Sequence, residues 1–188
     1  TVDAYTAGCE YQMGVAIYRS TNVELDQVDV RRVNGDCLYV GGAGSTFTGS
    51  SDIWYHDSVC KLTGRMGIAI VAGKRVTLER LDMDKIAIIA FDIEPNVPAG
   101  GGTDIMIRDN TVGTFGESNV YTGYFLAAGG NRDAVIERVT VTGNTVTGDT
   151  LKSVVDGSNA TGGGRNRRDI VITNNTAAVT SGSTVMKF

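Results

Sequence analysis

Two carboxylates separated by one residue are the strongest chemical feature of the sequence. Asp92 and Glu94 flank Ile93 within residues 90–96. On a β-strand such residues share one face, with Cα atoms about 6.5–7 Å apart. Flexible side chains would then reach either carboxyl separation of a glycosidase, about 5–5.5 Å for retention or about 6.5–9.5 Å for inversion. Because a neighbouring charge keeps one acid protonated beside an ionised base, the pair predicts acid–base chemistry on a sugar polymer. The alternative is a solvated strand end.

Asp36 and Arg65 complete the candidate catalytic set. Both precede short apolar segments that resemble the segment around Asp92. If the three segments are neighbouring strands, Arg65 lies between the acids and Asp36 lies about 10 Å from Asp92. A guanidinium between carboxylates would bind a uronate or act as the base of a lyase. The alternative is a structural ion pair between strands.

Four further residues are candidates for substrate binding. Tyr18 and Tyr39 would form a stacking platform for sugar rings, or would only cover the sheet. Asn96 follows the carboxyl pair closely. His56 is the only histidine and precedes Asp57, a pairing that is also typical of a capped turn. Metal-ligand spacing is not apparent, so the sequence predicts neither a metal nor a cofactor.

Composition indicates one all-β domain over residues 1–188. Aromatic residues make up only 7% and prolines number two, whereas glycines number 25, a mixture that favours short strands and tight turns. The net charge of −4 and the pI near 5.0 argue against a nucleic-acid partner. Apolar runs stay shorter than the roughly 18 residues of a membrane span. Three cysteines without a CxxC spacing predict that Cys37 and Cys60 are buried, unbridged thiols.

A repeat is the main signal for the fold. An apolar-x-apolar strand is followed by a few polar residues and a second short apolar pair, and the motif returns every 23 to 34 residues. Such unequal steps are typical of a solenoid with loops of variable length, whereas an antiparallel sandwich has no reason to repeat. The first apolar positions, expected to form one inward ladder, are Val23, Ile53, Val76, Ile105, Val139 and Ile170.

Each repeat carries another strand, with period-two alternation that places Ile17, Val40, Ile70 and Ile93 inward. Asp92 and Glu94 are then expected to face outward into a groove. Turns between strands hold Asn110, Asn144 and Asn175. These asparagines are expected to adopt the left-handed conformation and to bond the backbone of their neighbours, coil after coil.

The stacked pattern covers about residues 12 to 178 and resembles the right-handed parallel β-helix proteins of the pectate lyase-like superfamily. The resemblance implies a solenoid of about six coils. The superfamily that the chain resembles includes secreted polysaccharide lyases and hydrolases, sugar epimerases and bacteriophage tailspikes. The chain has Trp54-Tyr55-His56-Asp57 where pectate lyases have Trp-x-Asp-His, so calcium-dependent lyase chemistry is not carried over. A Gly-His-Gly motif of the polygalacturonate hydrolases is also missing.

The sequence predicts two alternative functions. The first is a secreted domain that binds polysaccharide and cleaves it as a hydrolase or lyase. The second is a non-catalytic structural or receptor-binding module of a phage tail fibre or tailspike, a minor tail protein at the virion surface. Neither end of the repeat shows a polar cap, so a homotrimer or flanking domains are expected to cover the ends.

Overall fold

The computed structural model describes residues 6, 8–43, 46–116, 123–148, 153–156, 166–178 and 184–187, with 153–156 and 184–187 described only as strands. These residues form strands and turns without a helix, so none of them belongs to a helix that could cross a membrane. The strands, numbered in chain order, form three sheets in which all pairings are parallel.

The described part of the chain passes through the sheets in turn, and every third strand returns to the same sheet. Sheet A contains β1 (Val15–Tyr18), β4 (Leu38–Gly41), β7 (Ile68–Ile70), β10 (Ile89–Ile93), β13 (Tyr124–Ala128), β16 (Ser153–Asp156) and β19 (Thr184–Lys187). Sheet B contains β2 (Thr21–Asp26), β5 (Ser50–His56), β8 (Ala72–Glu79), β11 (Gly101–Arg108), β14 (Val135–Thr142) and β17 (Arg167–Thr173). Sheet C contains β3 (Asp29–Val33), β6 (Val59–Thr63), β9 (Asp82–Ile86), β12 (Thr111–Val112), β15 (Thr145–Val146) and β18 (Thr176–Ala177). This order is consistent with a parallel β-helix.

The core lies between the three sheets and follows the predicted ladders. The six-residue ladder on sheet B is confirmed, because each member is the register partner of the next: Val23, Ile53, Val76, Ile105, Val139 and Ile170. The sheet A ladder of Ile17, Val40, Ile70 and Ile93 is also in register and buried. One continuous hydrophobic cluster therefore runs through the stacked strands.

The left-handed corners lie one residue away from the predicted positions. Asn110, Asn144 and Asn175 do not adopt a positive φ; the residues before them do, with φ values of 56°, 68° and 55°. The same corner recurs in earlier coils, and its members are Gln27, Asp57, Arg80, Asp109, Gly143 and Asn174. A second left-handed corner lies inside the sheet B strands, at Asn22, Asp52, Arg75, Asp104, Arg138 and Asp169. Stacked hydrogen bonds hold these residues in a conformation that costs roughly 1–2 kcal/mol each outside glycine.

The asparagines bond backbone groups of neighbouring coils, as predicted, and they also form a buried side-chain ladder that was not predicted. Asn110 donates from Nδ2 to Oδ1 of Asn144 at 2.8 Å, and Asn144 donates in the same way to Asn175 at 2.8 Å. Asn144 Nδ2 also donates to the carbonyl of Ile107 at 3.0 Å. Asn110 and Asn144 are both 1% exposed, so their amides satisfy backbone groups that water cannot reach.

Cys37 and Cys60 are joined in a disulfide, and the prediction that they are unbridged is wrong. The two Cα atoms lie 5.9 Å apart and both residues are fully buried. Cys60 lies in β6 of sheet C, whereas Cys37 precedes β4 of sheet A. The two thiols therefore meet across the core, where the fold rather than their spacing brings them together. Cys9 is not part of a disulfide.

We expect Asn144→Ala to lower the free energy of unfolding by about 3 kcal/mol, because it leaves buried partners of the ladder without hydrogen bonds. Urea unfolding measures the loss. Thr145→Val changes the exposed neighbouring side chain of β15, keeps a β-branched residue and should stay within about 0.5 kcal/mol of the parent. Equal losses in the two variants would contradict the role of the ladder.

Thiol titration in denaturant tests the disulfide. We expect one reactive thiol for each chain without reductant, from Cys9, and three after reduction. Replacing both Cys37 and Cys60 with Ala should lower the free energy of unfolding by about 3 kcal/mol. The bridge spans 23 residues and reduces the conformational entropy of the unfolded chain. Three thiols without reductant would rule the bridge out.

Candidate functional site

The outer face of sheet A carries most of the predicted site residues. Its first row consists of register partners in successive strands: Ala16, Tyr39, Ala69, Asp92 and Ala127. Tyr18 and Gly41 are partners in the next row, and Glu94 continues beyond β10, where its N–H donates to the carbonyl of Ile70 at 3.0 Å. Stacked strands are about 4.8 Å apart, so Tyr39 and Asp92, two strands apart, lie about 10 Å from each other.

Asp92 is 3% exposed, and the expectation that it faces solvent is wrong. Its register partners Ala69 and Ala127 are buried too, and Ala127 belongs to a second apolar cluster outside the core, with Met66 and Ile88. Burial raises the pKa of Asp92 well above its ordinary value, and the negative charge of Glu94 adds to the shift. A side-chain hydrogen bond with Glu94 also favours the protonated form. Burial therefore favours the protonated form of the Asp92 carboxyl.

Arg65 lies between carboxylates, as the sequence predicts. Its Nη1 donates to Asp36 Oδ2 at 2.8 Å, and its Nη2 is 3.5 Å from Glu94 Oε2. Asp36 is fully buried and also accepts the N–H of Met66 at 3.0 Å. Burial raises the pKa of Asp36 to about 6, although Arg65 and the Met66 N–H favour the charged form. Glu94 is the most open acid of the group, with 39% of its side chain exposed.

The two tyrosines form a tilted pair on the same face. Their ring centroids are 5.5 Å apart at an interplanar angle of 43°, and Tyr18 is 45% exposed. Gly41 lies directly below the rings, because a Cβ at this position would stand 2.3 Å from Cε1 of Tyr39 and 3.1 Å from that of Tyr18. A larger residue at position 41 would therefore displace the platform.

The remaining candidates divide between two faces. Asn96 is exposed and follows Glu94 on the sheet A side. His56 ends β5 of sheet B, where it contacts Asp57 and Glu24. His56 therefore does not join the group around Asp92.

Sequence reasoning missed a cleft of about 320 Å³ at the turn from sheet A to sheet B. Lys74 is the charged side chain in its lining. Gly100, which also lines the cleft, packs closely against Val71 and Pro95, because a Cβ there would stand 2.7 Å from the carbonyl oxygen of Val71 and 3.0 Å from Cβ of Pro95. Small residues in register line this cleft: Ser50 is the partner of Gly73, and Ala72 is the partner of Gly101. The signal was present as small residues at the same place in three repeats. Sequence reasoning also missed the grouping of Asp26, His56 and Asp57 on sheet B.

No protein-family model matches the chain, and neither the curated proteins nor the solved structures include a significant match to it.

The titration of Asp36 predicts an unusual dependence of stability on pH. The folded state holds this proton up to about pH 6, whereas the unfolded chain releases it near 3.8. Folded Asp36 therefore binds the extra proton between those values, and its contribution to stability decreases as pH rises. The decrease amounts to about 3 kcal/mol between pH of about 4 and pH of about 7. Asp36→Asn should remove this decrease from urea unfolding curves.

Asp133→Asn is the control for this measurement, because Asp133 is exposed. It should keep the pH dependence of the parent chain. An Asp36→Asn variant with the parent's pH dependence would show that Asp36 is not the group that titrates. Asp92 shifts in the same direction and remains in both variants.

Proposed function

We propose that the chain is a right-handed parallel β-helix domain of about six coils, of the pectate lyase-like kind, that binds a polysaccharide and cleaves it. The three parallel sheets and their register support this fold. The sheet A face supplies the acids, the guanidinium and the aromatic rings that the activity needs.

The observation that carries the proposal is the placement of Asp92 and Glu94. Asp92 is buried, whereas Glu94, two residues further along the chain, keeps 39% of its side chain exposed, and burial together with the charge of Glu94 raises the pKa of Asp92. Two carboxyls that share a proton provide an acid and a base in one place. Strongly shifted pKa values of this kind concentrate at functional sites.

The pair assigns a role to each residue. Glu94, the more exposed acid, contacts the substrate at the scissile oxygen. Asp92 shares its proton with Glu94, Arg65 orients Glu94, and buried Asp36 holds Arg65; these three are positioning residues. Asp92 and Glu94 are two residues apart and so lie on one face of sheet A. The pair therefore suits proton donation and acceptance on one face of the sugar, to the leaving oxygen and from water or a ring C–H.

A sugar chain would extend from the carboxyl pair in both directions. The Tyr18–Tyr39 platform lies about 10 Å from Asp92 along the stack, and aromatic rings bind the apolar faces of sugars. Asn96 follows Glu94 along the chain, and the cleft that contains Lys74 lies at the turn from sheet A to sheet B. Because Arg65 is already bonded to Asp36 and Glu94, a uronate would have to displace Glu94, which favours a neutral polymer.

A second candidate function follows if the same cluster of charged residues only stabilises the fold. Asp36 and Asp92 are buried, and Arg65 joins neighbouring coils, as a network that only holds strands together would do. The domain would then be a non-catalytic module of a phage tail fibre or tailspike, with a homotrimer or flanking domains over its ends. A buried disulfide supports an oxidising location for either candidate, secreted or on a virion surface.

Cleavage assays on a panel of neutral and acidic polysaccharides test the proposal. We expect Glu94→Gln to lower the rate of reducing-end release by about 10²–10⁴, because an amide cannot exchange a proton. Ultraviolet absorbance of unsaturated products separates a lyase from a hydrolase. Binding to the same polymers should survive this substitution and weaken in Tyr18→Ala.

Glu137→Gln is the matched control. Glu137 is also a strand glutamate bonded to two arginines, Arg138 and Arg168, but it lies on sheet B. It should keep the parent rate. Cleavage that survives Glu94→Gln would remove the pair from the chemistry, and a parent chain that binds polymers without cleaving any would establish the non-catalytic module.

A further inference from the structure

Sheet B carries a second cluster of polar side chains, well separated in the fold from the carboxyl pair on sheet A. Asp26 and His56 are direct register partners at the ends of β2 and β5, and Asp57 follows at a left-handed corner with φ 48°. His56 is almost buried, with 7% of its side chain exposed, whereas the two acids remain 46% and 41% exposed. A rigid imidazole therefore faces two accessible carboxylates.

The separations of these groups match the shell of a small divalent ion. Nδ1 of His56 lies 2.7 Å from Asp57 Oδ2 and 3.5 Å from Asp26 Oδ1, and all three atoms lie within 4.8 Å of one another. Ligands bound at about 2.1 Å are separated by about 3.0–3.4 Å at octahedral or tetrahedral angles. Small side-chain rotations would place all three on one ion.

Neighbouring contacts orient the imidazole for this role. Nε2 of His56 lies 3.1 Å from Oε1 of Glu24, which is the outer carboxylate that metal-binding histidines commonly have. Trp54 stacks on the imidazole with centroids 3.8 Å apart. Both contacts fix the ring and leave Nδ1 directed towards the acids.

We propose that Asp26, His56 and Asp57 bind a divalent transition-metal ion of the zinc, cobalt or nickel class. A nitrogen ligand with two carboxylates suits these ions, whereas calcium prefers a shell of oxygens. Three protein ligands leave further positions for water or a ligand from solution. The ion would join β2 to β5 and so fix the first two coils to each other.

Arg80 competes with the ion for the carboxylate of Asp57. Its Nε and Nη2 donate to both oxygens of Asp57, at 2.8 and 2.7 Å. Each carboxylate oxygen has two lone pairs, so Asp57 Oδ2 can bind the ion while it accepts from Arg80. The guanidinium charge nevertheless repels a cation, and its removal should tighten binding.

Calorimetric titration of the 188-residue chain with zinc chloride, in mildly alkaline buffer that keeps imidazole neutral, tests the site. We expect one strong site in the parent chain. Affinity should fall at least about tenfold in Asp26→Asn and in His56→Gln, fall less in Glu24→Gln, and rise in Arg80→Gln. Asp26 is exposed, so its substitution tests binding even if the change at buried His56 disturbs folding. Circular dichroism checks the fold of each variant.

Asp109→Asn is the matched control. Asp109 occupies the corner equivalent to Asp57 two coils further on, with φ 56°, and no histidine accompanies it, since His56 is the only one in the chain. Its zinc affinity should equal that of the parent. A parent chain that binds no zinc, or equal affinity in Asp26→Asn and Asp109→Asn, would overturn the proposal and leave an ion-pair network only. Polysaccharide cleavage is not part of this test, so its outcome does not depend on the proposed activity.

Discussion

The whole arrangement depends on one constraint, the parallel backbone ladder that fixes each coil on the one before it. Every strand in the described sheets pairs in register with the strand one coil away, so equivalent side chains repeat at the strand spacing of about 4.8 Å. The ladder holds non-glycine residues in left-handed corners that would otherwise be unfavourable. It also brings buried asparagines close enough to bond one another.

Burial then decides the chemistry of the stacked charges. Asp52 bonds Arg75 on the exposed surface of sheet B, where water screens such pairs and their contribution to stability is small. Asp36 bonds Arg65 in a place from which water is excluded, and desolvation raises the pKa of the acid despite its partner. The same kind of ion pair is thus a solvent-screened surface contact on one sheet and part of a buried group with raised acid pKa values on another.

The two outer faces consequently differ in what they offer. Sheet A combines apolar cover, tyrosines and acids with raised pKa values, which suits an uncharged polymer and proton transfer. Sheet B presents Glu24, Asp26 and Asp57 around a fixed imidazole, which suits a cation. Because inward and outward side chains alternate along each strand, the outward residues of the two sheets can differ without disturbing the common core.

Sequence alone determined which residues stack, and tertiary structure decided what surrounds them. Periodicity predicted the ladder from Val23 to Ile170 and the position of Arg65 between carboxylates, because equivalent places in a repeat become neighbours in space. It did not predict that Asp92 is buried, because alternation along a strand does not show what covers its outer face. Nor did it predict the Cys37–Cys60 bridge. A repeat fixes distances along the stack, whereas contacts across the core depend on how the three sheets face one another.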